Sequence, residues 1–229
     1  MRNTTQESAT GRHRPRRAGF VGLGALALLF GLPSAPAAHE IASDVTIRAF
    51  VKLEDGQLRF LVRVPLMALA DFQWPVTGPG FLSLDKAEPM LRDAVQAWIS
   101  VYVRFYENGR SLGDGTIRAA RISRPGSESF NDYGEALAHV TGPGLPSNTQ
   151  LIWDQALVDA LLDYPIQSPP SSFSLEPRLA LLGLRTTTVL RFVTPEGETR
   201  AYQYHGNPGL IRLDPRWYHA AFTFVRSGT

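Results

Sequence analysis

Four histidines lie beyond residue 37, at His39, His139, His205 and His219, and the 229-residue chain has no cysteine. Imidazole is the commonest metal ligand and titrates near neutrality. None of the four has a second histidine within five residues. Each therefore reads first as a surface or hydrogen-bonded side chain, and only two distant strands could bring a pair together. The missing cysteines exclude thiolate metal sites and Cys nucleophiles. His39-Glu40-Ile41-Ala42-Ser43 begins like the zinc-binding H-E-x-x-H helix, but Ser43 stands where the second imidazole must lie one helical turn on. A metalloprotease site is thus excluded at that position. There is no P-loop and no EF-hand run of acids. Serine, histidine and aspartate are all present, but a triad is defined by geometry rather than by composition.

His39 differs in kind because of what precedes it. Arg12, Arg14, Arg16 and Arg17 form a basic front, residues 18–32 form an uncharged apolar run, and Ala35 and Ala37 supply small residues at −3 and −1. These are the parts of a cleaved export signal, and the run is short of the roughly 20 residues that cross a bilayer. Cleavage after Ala37 makes His39 the second residue of the mature chain. The new terminal amine, with a pKa of about 8, and the imidazole could then chelate one ion, copper or nickel. Gly22-Leu23-Gly24-Ala25-Leu26-Ala27 matches a dinucleotide fingerprint, but a basic tail precedes it instead of a strand, so the match carries no chemistry.

The same cut removes five arginines and one glutamate from 23 basic and 21 acidic residues, leaving 18 and 20 and a net charge of −2. The basic pI of about 9.1 therefore belongs to the leader and is no argument for nucleic acid. Exported without cysteine, the fold must hold by packing alone.

The elements are mostly strands. Val45, Ile47, Ala49, Val51 and Leu53 alternate with Thr46, Arg48 and Lys52, Glu54-Asp55-Gly56 supplies a turn, and residues 58–64 return as a hairpin. Phe50 is the one large apolar residue on the polar side and suggests a second layer. Leu91, Val95, Trp98 and Ile99 form one stripe of a helix within residues 85–103. Residues 101–106 then turn at Asn108-Gly109 and return over residues 116–122, and residues 136–141 read as a further short strand. Leu151-Ile152-Trp153 is strand-like, while residues 156–162 permit a helix. Residues 173–182, 186–193 and 199–205 are three more β runs. Tyr202 and Tyr204 share one face with His205 on the other, as core packing requires. Arg104, Arg118, Arg121 and Arg124 have acids among them and read as a solvated face. The fold class expected is mainly β, an antiparallel sandwich, Ig-like or in two parts, with one or two inserted helices. Its boundaries are a signal at 1–37, a β-rich domain at 38–215 with a subdivision conceivable near 125, and a helical lead-in at 216–229.

Several stretches taken together resemble the exported front half of HupE/UreJ-like membrane proteins. They are residues 38–51 (Ala-His-Glu-Ile through Phe50-Val51), Leu61-Val62-Arg63-Val64-Pro65-Leu66, Asp163-Tyr164-Pro165-Ile166, Phe173-Ser174-Leu175-Glu176-Pro177, Val189-Leu190-Arg191-Phe192, and Gly206-Asn207-Pro208-Gly209-Leu210-Ile211-Arg212-Leu213-Asp214-Pro215-Arg216-Trp217. The resemblance implies a periplasmic β-rich domain attached to membrane helices that take part in nickel or cobalt uptake. In that family a His- and Asp-bearing membrane segment follows. No residue here matches it, so no transport ligand is assigned. The expectation is a non-enzymatic periplasmic ectodomain or accessory of a membrane-embedded transport protein. A free copper- or nickel-binding protein using His39 is the alternative, and a hydrolase with a dispersed site the third.

Mass spectrometry of the exported protein is expected to find Ala38 as its first residue, and titration with Cu(II) or Ni(II) to give binding that His39→Ala abolishes. Unchanged affinity in the variant removes the terminal site.

Overall fold

The computed structural model describes residues 44–69, 72–167, 172–194 and 197–213, all within one compact unit. The first hairpin forms as expected. β1 (Asp44–Glu54) and β2 (Gln57–Pro65) are joined through Asp55 and Gly56, whose φ values of 53° and 70° are the left-handed pair that a two-residue hairpin turn demands. Two short strands follow, β3 (Val76–Thr77) and β4 (Phe81–Leu82). The predicted helix runs from Leu84 to Ser100, as α1 (Leu84–Ala87), a tight turn at Glu88–Met90, α2 (Leu91–Val95) and a widened turn at Gln96–Ser100. Its stripe of Leu91, Val95 and Ile99 is fully buried.

β5 (Val103–Glu107) turns at Asn108 and Gly109, with φ of 51° and 80°, into the two-residue β6 (Arg110–Ser111). The strand over residues 116–122 is not the continuation of this hairpin. β7 (Thr116–Ser123) crosses to the other sheet, where it pairs with β8 (Leu157–Pro165). The crossing runs through Gly113, at φ +76°, and Gly115, which presses on the ring of Tyr164.

Residues 136–141 are also corrected, from strand to helix. α3 (Tyr133–Thr141) begins at Asp132, whose Oδ1 accepts from the N–H groups of Gly134 (2.7 Å) and Glu135 (3.1 Å). Tyr133, Ala136 and Val140 bury the face spaced i, i+3, i+7. The ambiguous run at 156–162 is resolved as strand β8. β9 (Phe173–Pro177), β10 (Arg185–Val193), β11 (Thr199–His205) and β12 (Ile211–Arg212) complete the set.

Six strands form the main sheet in the order β11-β10-β1-β2-β8-β7, and four form the second in the order β12-β9-β5-β6. Every pairing is antiparallel except β1 with β10, which run parallel from Asp44 opposite Arg185. Strands from both sides of residue 125 are neighbours in the main sheet. The chain is thus mainly β, two packed sheets with helical insertions, as its alternation implies.

The main core lies between the sheets. Val45, Ile47, Val51, Phe60, Val62 and Leu162 face Phe105, Leu175 and the helical stretch. Phe105 is its hub, with ring centroids 5.4 Å from Phe60 and 4.7 Å from Tyr164. Tyr202 and Tyr204 pack on the margin of this core, as their shared strand face suggests. A second, smaller core lies on the opposite side of the main sheet. There Phe50, Leu61 and Leu161 are covered by Phe130, Tyr133, Ala136 and Val140. Phe50 therefore does serve a second layer.

A Cβ at Gly115 would stand 2.5 Å from Cζ of the fully buried Tyr164. Gly115→Ala is expected to cost about 1–3 kcal/mol through overpacking, measured by urea unfolding. Gly115 is at ordinary φ, so a loss there reports crowding rather than backbone conformation.

Candidate functional site

The outer face of the main sheet is built in crosswise rows set by register. Phe50, Leu61, Leu161 and Ala119 stand abreast and form the floor of the second core. On one side the next row is Arg48, Arg63, Asp159 and Arg121; on the other it is Lys52, Arg59, Asp163 and Thr116. An apolar row is thus flanked by two charged ones, and α3 with the loop before it closes over all three.

The first charged row holds the densest polar cluster among the described residues. Asp159 is wholly buried and Arg63 is 4% exposed. The guanidinium meets the carboxylate side-on, Nε to Oδ1 at 2.6 Å and Nη2 to Oδ2 at 2.7 Å. Arg63 also donates to the Ser127 carbonyl (2.6 Å) and Ser129 Oγ (2.8 Å), and stacks on the Phe130 ring at 4.3 Å. Ser123 Oγ donates to Asp159 Oδ2 at 2.6 Å, and His139 Nε2 lies 2.7 Å from that hydroxyl and 3.2 Å from the same carboxylate oxygen. Burial pushes the Asp159 carboxyl up, but hydrogen bonds from Arg63, His139 and Ser123, with the Arg63 charge, hold it below the usual carboxylate range. Arg121 donates to the backbone carbonyl of His139 in the last turn of α3, where a cation complements the helix end.

Ser123, His139 and Asp159 share the residue types of a hydrolytic triad but not its order. In a triad the imidazole accepts the serine proton at one nitrogen while the other donates to the carboxylate. Here the single hydroxyl proton is already given to Asp159, so Nε2 must carry its own proton and point it at Ser123 and Asp159 together. No ring nitrogen faces Ser123 as a base, and Ser123 is fully buried. The cluster keeps a carboxylate ionised and bolts α3 and its loop to the sheet. No family model matches this chain, and no curated protein matches it. The geometry is therefore read on its own terms.

The second charged row forms another tie. Glu54 accepts from Lys52 (2.9 Å), Arg59 (2.8 Å) and the Tyr133 hydroxyl (2.9 Å). The Lys52 bond, supported against burial by Tyr133 and Arg59, holds its carboxyl below the usual range. Arg118, displaced by an irregularity in β7 between Ile117 and Ala119, reaches Asp163 at 2.9 Å. The four arginines 104, 118, 121 and 124 do not act as one stripe: Arg118 and Arg121 are engaged in these ties, while Arg104 and Arg124 are exposed.

His39 and His219 lie outside the described residues. His205 is exposed, its Nδ1 2.9 Å from Thr187 Oγ1, and His139 sits in the Asp159 cluster. Those two are not brought together. Among the described residues no group of three or more His, Cys, Asp or Glu side chains is placed to hold a metal. Sequence reasoning passed over Arg63 and Asp159. The available signal was a charge inside an apolar run, Val62-Arg63-Val64 and Leu157-Val158-Asp159-Ala160-Leu161.

Asp159→Asn leaves Arg63 buried opposite a neutral group and is expected to cost about 3–5 kcal/mol in urea unfolding, whereas Arg63→Met with Asp159→Leu is expected to recover most of that. The folded pKa of Asp159 lies below its unfolded value. Its contribution is therefore complete above the ordinary aspartate range and lost as pH falls through the folded value. Stability measured from neutral pH to about pH 3 should fall more steeply in the wild type than in the double variant. Parallel acid limbs would place the loss elsewhere.

Proposed function

We propose that the protein is a non-enzymatic, exported β-rich domain that serves a HupE/UreJ-like membrane protein as periplasmic ectodomain or accessory. The observation that carries this reading is the Arg63–Asp159 cluster. Its hydroxyl, imidazole and carboxylate are consumed in holding α3 to the sheet, and its serine is closed to solvent. The resembling stretches are also scaffold pieces. They coincide with β1, β2, β9 and β10, and the last of them runs through β12 to Leu213, 1% exposed in the main core. A domain whose shared features are strands and anchors suits presentation and docking better than turnover. No helix among the described residues is long and apolar enough to cross a membrane, so on this reading the membrane part is supplied outside them.

Two measurements test the proposal. The genomic sequence beyond the codon for Thr229, read in all frames, is expected to encode a His- and Asp-bearing apolar helix with further apolar spans; unrelated sequence counts against it. In fractionated cells the exported chain should stay with membranes when that polytopic protein is present and be released when it is deleted.

A further inference from the structure

The main sheet has two outer edges, β11 and β7, and they are built in opposite ways. A free strand edge is a template for another chain, and folds blunt it with charge, proline, a bulge, shortness or cover. β7 is blunted several times over. Its register breaks between Ile117 and Ala119, Arg92 donates to the Ile117 carbonyl (3.0 Å), and α2 and α3 both lie against it. β6 and β12, the edges of the second sheet, are two residues each. β11 has almost none of these devices. It runs for seven residues, Thr-Arg-Ala-Tyr-Gln-Tyr-His, in unbroken register with β10, and holds no proline, lysine or acid. Its one arginine, Arg200, is met by Glu198 at 3.3 Å. Among the described residues no strand pairs with its other side.

Two hydrogen bonds fix which backbone groups of β11 face outward. Gly206 N–H donates to the Thr186 carbonyl (2.9 Å) and Thr194 N–H to the Glu198 carbonyl (2.8 Å). Bonded pairs in an antiparallel ladder recur at every second residue, so Arg200, Tyr202 and Tyr204 are the residues that bond to β10. The backbone N–H and C=O of Thr199, Ala201, Gln203 and His205 therefore point away from the sheet. All four residues are exposed. At Gly206, φ +67°, the chain leaves for β12 in the other sheet, and the strand stops at His205.

We propose that β11 is a self-association edge: a second copy of this chain adds its own β11 antiparallel, with Tyr202 opposite Tyr202, and joins two six-stranded sheets into one. Complementarity in that register argues for this occupant. A two-fold axis at Tyr202 sets Thr199 opposite His205 and Ala201 opposite Gln203, so every outward backbone group of the strand finds a partner. Moving the axis to Ala201 or Gln203 leaves His205 or Thr199 without a counterpart in the strand. On the core-side face Arg200 meets Tyr204 and the two Tyr202 rings meet each other, cation with aromatic and aromatic with aromatic. On the outer face threonine meets histidine and alanine meets glutamine, so no charge faces its like. The proposal stands on strand geometry and is independent of the membrane role. A single-strand seam is smaller than the roughly 800 Å² per partner of a standard interface, and the dimer is accordingly a weak one.

The test is analytical ultracentrifugation of the full mature chain from about 1 μM to 1 mM. The mass is expected to rise from one chain toward two. Ala201→Lys with Gln203→Lys sets lysine opposite lysine across the seam and should weaken association by roughly tenfold or more. Ala201→Glu with Gln203→Glu should do the same, and an equal mixture of the two variants should recover a mixed dimer, because each lysine then faces a glutamate. Both positions are exposed, so circular dichroism and the urea midpoint should be unchanged in the variants. A chain that stays monomeric throughout overturns the proposal, and slow amide exchange at Ala201 and Gln203 in that monomer assigns the edge to the chain's own residues. Dimers that both variants retain overturn it too, placing self-association on another surface. A loss that the mixture does not restore overturns the antiparallel register.

Discussion

The buried pair of Arg63 and Asp159 is the constraint on which the outer half of the structure depends. Taking two such charges out of water costs several kcal/mol per ion, and mutual attraction offsets this only when every remaining donor and lone pair is engaged. Here the guanidinium is shared among Asp159, the Ser127 carbonyl and Ser129, and the carboxylate among Arg63, Ser123 and His139. Those partners come from β2, β8, β7, α3 and the loop before α3. Satisfying one carboxylate therefore fixes five pieces of chain at once. The cluster adds specificity to a cover that holds only a few apolar side chains.

The pair also disciplines register. Side chains alternate across a strand with period two, so a slip of one residue between β2 and β8 would turn Arg63 and Asp159 into the main core and Val62 and Val158 out. The apolar row of Phe50, Leu61 and Leu161 alone tolerates no such slip, but it could accept a shift of two. With charged rows on both sides, a two-residue shift sets Arg63 opposite Leu161 or Leu157 rather than Asp159. Rows of alternating character thus select one alignment where an all-apolar face would allow several.

Legibility in the sequence followed how local each cause was. β1, β2 and the turns at Asp55-Gly56 and Asn108-Gly109 could be read because alternation and positive-φ residues act within a few positions. Phe50 could be marked as belonging to a second layer by its place on a polar face. α3 was misread because residues 136–141 were taken without Asp132 and Tyr133, which carry the cap and the first buried contact. β8 was ambiguous because alanine and leucine favour helices, and only pairing on both sides makes the run a strand. The parallel join of β1 to β10 has no local signature at all. Nor has the cluster itself, since Arg63 and Asp159 are 96 residues apart and nothing near either names the other. His39, the residue the sequence singles out for metal chemistry, lies outside the described residues.

The two cores divide the labour of the fold. The inner core lies between the sheets, and the outer tie of charges and α3 covers β1, β2, β8 and β7 and reaches β10 through Arg191 and Val193, while β11 keeps exposed outward residues such as Ala201, Gln203 and His205. Among the described residues the exposed leucines, Leu181, Leu184 and Leu210, all lie in loops at one end. Because β9, β10, β11 and β12 all begin or end there, the position of those loops is set by strand pairing rather than by the loops themselves. The sheet system thus holds the leucine-bearing end in a fixed orientation.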